Sequence, residues 1–230
     1  PAIPTGRAAG CAPFYFSLHF PVILPSTMSL TADLLLHAYS AGVFPMAEHR
    51  DDPEVFWVDP KRRGILPLDG FRISRSLAKR IRNGGFEITV NRDFAGVVDG
   101  CADRAETWIN PAIFDLTLAL HRMGHAHSVE VRGPDGSLTG GVYGVALGGA
   151  FFAESIFSRA TDASKIALAY LVDRLRQGGF QLFDTQFLTE HLASLGAVEI
   201  TRADYHRQLR RAIEMQADFT GPPIPSAQEV

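Results

Sequence analysis

Short apolar runs alternate along the chain with stretches of helical spacing, and the clearest instance lies between residues 151 and 186. The run Phe151-Phe152-Ala153 leads into the acid Glu154. An amphipathic segment follows, closed by Gly178-Gly179, and a second apolar run leads into Asp184. That order predicts a βαβ unit. Its right-handed crossover lays the two strands parallel, side by side or one strand apart. Both acids are then expected near the carboxyl ends of their strands, where open α/β sheets place ligands.

The same reading extends along the chain. Thr31 or Asp33 begins a helix carrying Leu34, Leu35, Ala38 and Tyr39, stopped by Gly42 and Pro45. Residues 44–64 are loop-rich, punctuated by Pro45, Pro53 and Pro60. A strand is expected at 65–68, then a helix capped by Ser74 that runs to about Arg82 and ends at Gly84-Gly85. Residues 86–90 alternate as a strand, 93–102 read as a short helix, and helical spacing returns from Pro111 to Met123. Three strands cover 128–155, with Pro134-Asp135-Gly136 as a hairpin turn. After the βαβ unit comes a final helix near 203–216.

From residue 65 the order is β-α-β-α-α-β-β-β-α-β-α. This is an α/β chain of mixed α+β type, with one mixed sheet and helices on both faces. Residues 28–62 read as a small N-terminal lobe, 63–220 as the main domain and 221–230 as a disordered tail. The stretch 11–24 is apolar, but Pro13 and Pro21 interrupt it and it is too short to span a bilayer. Residues 1–27 are therefore taken as an upstream extension or disordered leader.

Composition adds little until it is read locally. A formal charge of −3 gives no hint of a polyanionic partner. Two widely separated cysteines, Cys11 and Cys101, point to neither a disulfide framework nor a cysteine zinc site, and fit a reducing cytoplasm. Residues 61–82 differ sharply. Lys61, Arg62, Arg63, Arg72, Arg75, Lys79, Arg80 and Arg82 stand against a single acid, Asp69. Arg75, Lys79 and Arg82 share one face of the expected helix. The cluster is either a solvated helix face or a phosphate-tracking patch. Phe44, Phe56 and Trp57 just upstream suit the stacking that single-stranded RNA ends require.

His121, His125 and His127 cross an expected helix end, so capping, packing or solvent exposure is the better reading and no metal is expected. The glycines between 140 and 149 match no nucleotide-cradling pattern, and no serine sits in a GxSxG turn. Glu154, Asp184 and Gln186 remain. They form either a buried ion pair, for example with Arg159, or a carboxylate with a relaying amide that positions an amine.

At these residues the chain resembles the bacterial leucyl/phenylalanyl-tRNA–protein transferases. The matching stretches are AYSAGVFPM (38–46), WVDPKRRG (57–64), ISRSL (73–77), TWI (107–109), HRMGHAHSVEV (121–131), GGVYGVALGGAFFAESIFSRATDASKIAL (140–168) and FDTQFLTEHLASLGA (183–197). Their joint order, over roughly 30–210, is specific.

The resemblance implies a small N-terminal lobe and a C-terminal domain of the acetyltransferase superfamily. It also implies transfer of leucine or phenylalanine from aminoacyl-tRNA to an N-terminal Arg or Lys of a protein, which marks the acceptor for N-end rule degradation. No metal, ATP or coenzyme is expected, because the ester is already activated. A cytoplasmic monomer is the family expectation. By resemblance, Asp184 orients Gln186, which takes or relays the proton of the acceptor amine. Glu154 holds the amino group of the aminoacyl ester or the acceptor's charge. Val142, Phe151, Ile156, Leu171 and Phe183 match the amino-acid pocket. Tyr39 and Trp108 correspond to positions near the terminal adenosine, with Trp57 and the cations Lys61, Arg62, Arg63, Arg75, Lys79 and Arg82 taken as tRNA-binding. A pocket of this kind separates side chains by only about 1–3 kcal/mol per methylene, so some tolerance for methionine is expected.

The chain departs from the family pattern at Met46 and Phe56, where relatives carry Trp, and at Ile156 and Leu171, which bears on donor preference and adenine stacking. Two other readings compete. A coenzyme-A-dependent acyltransferase of the same superfold needs a glycine-rich loop where this chain has RATDASK (159–165). A non-catalytic tRNA- or degron-binding module needs the basic patch but not Asp184 or Gln186.

Overall fold

Thr31 accepts a hydrogen bond from the Leu34 N–H and so starts α1 (Ala32–Ser40), the first element of a computed structural model that describes residues 30–230. The expected leader, 1–27, lies outside these residues. The loop-rich stretch that follows contains two short strands, β1 (Phe44–Met46) and β2 (Phe56–Val58), paired antiparallel. Pro45 is tolerated there because a two-stranded ribbon leaves one edge of each strand without ladder bonds.

The strand expected at 65–68 lies earlier, as β3 (Arg62–Ile65). Pro67 has no N–H for a ladder, and residues 68–70 turn as a 3-10 helix instead. Ser74 then caps α2 (Arg75–Asn83), which ends at Gly84. β4 (Glu87–Val90), α3 (Phe94–Ala102) and α4 (Pro111–Arg122) follow where expected. The three-strand run is β5 (Ala126–Arg132), β6 (Leu138–Leu147) and β7 (Ala150–Ser158). The crossover is α5 (Ala163–Gln177) into β8 (Leu182–Gln186). Like β1 and β2, two further short elements went unread in the sequence, α6 (Glu190–Ser194) and β9 (Val198–Thr201), and α7 (Arg202–Ile213) closes the order.

The main sheet has seven strands in the order β4-β5-β6-β7-β8-β3-β9. Every neighbouring pair in it is antiparallel except β7–β8. Alternate strand residues point to opposite faces, so each face has its own core. One gathers Tyr143, Phe152 and Leu182 with α1, α3, α4 and α7. The other gathers Val142, Phe151 and Phe183 with α2 and α5. Leu35, Tyr39, Phe44 and Trp57 of the first 62 residues belong to the first of these cores. The stretch expected as a disordered tail, 221–230, is irregular, with Ala227 and Val230 packed against the second core.

Candidate active site

Parallel pairing of β7 with β8 is brief. It runs Ala150↔Leu182, Phe151↔Phe183 and Phe152↔Asp184, although β7 continues to Ser158. On its other side β7 carries an extra residue. Gly144 of β6 faces Ala153 and Tyr143 faces Ser155, so Glu154 is a β-bulge without a partner on β6. A bulge re-aims side chains, and here it changes the alternation. Phe151 and Ala153 face the α5 side, Ile156 rejoins them, and Phe152 and Phe157 face the other core. Glu154 therefore lies mid-strand rather than at the strand's carboxyl end. It looks across the opening between β7 and β8 toward Gln186, whose Nε2 donates to its Oε1 at 3.0 Å.

Asp184 is fully buried and saturated with donors. Arg63 Nε donates to Oδ1 at 2.9 Å and Nη2 to Oδ2 at 2.6 Å. The Tyr205 hydroxyl of α7 donates to Oδ2 at 2.7 Å, and the Gln186 N–H to Oδ1 at 2.8 Å. Arg63 is packed between the rings of Phe44 and Tyr205, at 4.5 and 4.4 Å from their centroids. Burial opposes its charge most strongly, but Asp184, Tyr205 and Asp59 together outweigh it and hold the guanidinium above its ordinary pKa. Asp184 has an ion-pair partner, then, but it is Arg63 and not Arg159, which pairs at the surface with Asp103 at 3.2 Å. Breaking such a buried pair from one side costs about 3–5 kcal/mol.

This anchor shapes its neighbour. The bond from the Gln186 N–H back to Asp184 accompanies a left-handed backbone at Gln186, φ 62°. Outside glycine that conformation is strained, and strain of this kind gathers at functional sites. Gly64 on β3 makes room for it, since a Cβ there would lie 2.6 Å from the carbonyl carbon of Phe187. With Nε2 committed to Glu154, the Gln186 Oε1 has no hydrogen-bond partner among the described residues.

Burial pushes the Glu154 carboxyl up to about 7. Tyr39 opposes the shift, the charge of Asp184 adds to it, and Gln186 and Arg63 oppose it more weakly. Glu154 nonetheless keeps part of its surface in contact with solvent, so a group of near-neutral proton affinity stands at a reachable position. Such an arrangement suits the handling of an amine: an amide oxygen to accept from it and a carboxylate to balance its charge.

The remaining residues singled out in the sequence fall into three sets. Val142, Phe151, Leu171 and Phe183 are buried together on the α5 side, with Ile156 partly buried against them. Phe151 packs edge-on to Phe183 at 5.9 Å and is stacked by Phe219 at 5.4 Å. Tyr39 is buried and interacts with Glu154 through its hydroxyl. Trp57 is buried in the first core, which removes it from an exposed stacking surface, whereas Trp108 is only partly buried. Lys61 and Arg62 are exposed, and Arg75, Lys79 and Arg82 form an exposed face of α2 without ion pairs among the described residues. Arg63 is the exception, turned inward because strand alternation sends it opposite to Arg62.

The histidines are engaged singly. His121 stacks on Phe94 at 4.1 Å and His127 on Phe219 at 4.3 Å, and burial lowers the latter's pKa to about 4. Among the described residues no cluster of three or more His, Cys, Asp or Glu is placed to hold a metal, and no helix is long and apolar enough to cross a membrane. Tyr205 and the inward role of Arg63 were missed in the sequence. Only the 62-out, 63-in alternation of a strand starting at Arg62 would have signalled the latter.

Comparison with known proteins shows the family. The leucyl/phenylalanyl-tRNA protein transferase family profile matches residues 65–210, and the family's N-terminal domain matches 28–61. The chain belongs to the leucyl/phenylalanyl-tRNA protein transferase family. It is 71% identical over 192 residues to the leucyl/phenylalanyl-tRNA–protein transferase of Ruegeria pomeroyi, covering 84% of this chain and 91% of that one. With the transferase of Ruegeria sp. strain TM1040 it shares 70% over 201 residues, 87% and 95% of the two chains. Among solved structures it is similar to L-PGS from Bacillus licheniformis, with a TM-score of 0.45, 13% identity and coverage of 66% and 65%. In this family member Glu154, Asp184 and Gln186 all lie within the matched stretch 65–210, and Tyr39 within the matched N-terminal domain.

Proposed function

We propose that this chain transfers leucine or phenylalanine from aminoacyl-tRNA to proteins that begin with Arg or Lys, and so marks them for degradation in the cytoplasm. The observation that carries the site assignment is the Arg63–Asp184–Gln186–Glu154 chain of contacts across the opening between β7 and β8. Family membership supports the reaction class, and the chemistry of the contacts supports the roles.

The attacking nitrogen is the acceptor's α-amine, whose ordinary pKa of about 7.7–8.0 leaves roughly a tenth neutral at pH 7. Gln186 Oε1 accepts a hydrogen bond from this amine and directs its lone pair at the ester carbonyl. The new C–N bond forms and the C–O bond to the tRNA ribose breaks. The surplus proton of the amine ends on the departing ribose hydroxyl. Glu154 balances the positive charge beside it, and Asp184 fixes the backbone of Gln186 by accepting its N–H. Because the ester is activated and the amine partly neutral, positioning supplies much of the acceleration. Val142, Phe151, Ile156, Leu171 and Phe183 are assigned to the amino-acid side chain, and Tyr39 and Trp108 to the neighbourhood of the terminal adenosine. The exposed α2 face is assigned to tRNA phosphates. We take the protein to act as a monomer without metal or coenzyme.

The test uses labelled Phe-tRNA and Leu-tRNA with one peptide that starts in Arg and a control that starts in Gly. Label is expected in the Arg peptide alone, and strongly reduced by Gln186→Ala in a folded variant. Folded wild-type protein that labels neither peptide would overturn the reading.

A further inference from the structure

The hydroxyl of Tyr143 is completely buried and has no hydrogen-bond partner among the described residues. Its ring is well accommodated, edge-on to Phe94 at 5.9 Å. A phenylalanine would pack the same way, and an unsatisfied buried hydroxyl is destabilising. So the oxygen does nothing for the resting fold, yet it sits next to the candidate site. Tyr143 stands opposite Ser155 at the β7 bulge, and its phenol lies in the field of Glu154 on β7, Cys101 on α3 and Arg104 just beyond that helix. Burial and the Glu154 charge keep the phenol protonated, so it is available as a donor.

Glu154 has acceptor capacity to spare. An ionised carboxylate offers about four lone-pair sites. The groups that face it are Tyr39 from α1, Asp184 and Gln186 from β8, Arg63 from β3 and Tyr143 from β6. Of these, Gln186 is the donor that the reaction also calls on, because its amide must settle against the substrate amine.

We propose that Tyr143 is a positioning residue for Glu154, a phenolic donor that the carboxylate takes up when a substrate amine enters the gap between β7 and β8. The proposal rests on the reading that Glu154 belongs to the transfer site. It accounts for a buried hydroxyl that the fold leaves unpaired: the bond is made in the occupied site rather than in the empty one.

The experiment compares the full chain with Tyr143→Phe, using Phe-charged tRNA and an Arg-initiated peptide, with Glu154→Gln as the control. Tyr143→Phe is expected to melt at or above the wild-type temperature and to lower turnover at saturating substrate about tenfold, with little change in KM. The acid limb of its pH profile should move to higher pH, because the ionised carboxylate has lost a donor. Wild-type turnover and an unmoved acid limb would overturn the proposal. So would a melting temperature well below wild type, which would mean that the resting fold already uses the hydroxyl. Wild-type transfer by Glu154→Gln would instead sink the reading of the site on which the proposal stands.

Discussion

Arg63 and Asp184 hold each other inside the protein, with two guanidinium nitrogens on the two carboxylate oxygens at 2.9 and 2.6 Å. Both side chains are screened from water. Forked pairing of this kind adds direction as well as charge, since the planar guanidinium fixes the carboxylate plane. The consequence runs along β8: a fixed carboxylate fixes the Gln186 N–H, and with it the amide that meets Glu154.

Arg63→Ala should therefore behave as a loss of internal support. We expect it to destabilise the protein by about 3–5 kcal/mol in urea unfolding, because Asp184 is left as a buried unpaired charge. Arg63→Lys should recover only part of this, as an ammonium cannot bridge both oxygens. A variant as stable as wild type would show that water replaces the guanidinium, and that the pair does not anchor Gln186.

Gln186 supplies a second test, through its backbone. At a left-handed position the usual order of alanine and glycine inverts, because only glycine adopts it without cost. Gln186→Gly is expected to be more stable than Gln186→Ala by about 1 kcal/mol, read by thermal or urea unfolding. Both should transfer poorly, since neither has an amide. Alanine equal to or above glycine would mean that the φ of 62° relaxes in solution.

How much of this was legible in the residues depends on what each position needed from its distant neighbours. The β7–α5–β8 crossover was readable because apolar runs and helical spacing are local properties, and Ser74 announces its helix by capping chemistry. The bulge at Glu154 was not. It consists in a mismatch of two strands, and the sequence of β7 alone reads only as an apolar run leading into an acid. Arg63 reads like its basic neighbours because charge is visible in a sequence and inward direction is not. β1 and β2 are hidden among prolines, three residues each being too few for a period. The participants in the site are visible in the chain, while the partnerships that orient them require the sheet.

Glu154 makes stability depend on pH in a defined direction. Burial raises its carboxyl from the usual 4.5 to about 7 in the folded chain. Between those values the unfolded chain sheds its proton first, so folding favours the protonated form and the contribution of Glu154 declines as pH rises. Above about 7 the decline stops. Glu154→Gln removes the titrating group, so its melting temperature relative to wild type should rise from pH 5 to pH 8. A constant difference across that range would show that Glu154 titrates normally.

The α2 face gives the last prediction, in which salt distinguishes a phosphate contact from ordinary surface charge. Arg75, Lys79 and Arg82 are exposed, share one helix face and are free of carboxylate partners among the described residues. Each cation that neutralises a phosphate releases condensed counterions and steepens the fall of affinity with salt. Changing the three to Gln should weaken tRNA binding at low salt and flatten the plot of log affinity against log salt by about 1 for each phosphate no longer neutralised. Folding should be nearly unaffected, since exposed charges contribute little to stability. Fluorescence anisotropy with labelled tRNA over a salt series measures the slope directly. An unchanged slope would assign the three to solvent and move the tRNA contact elsewhere, with the exposed Lys61 and Arg62 as the next side chains to replace.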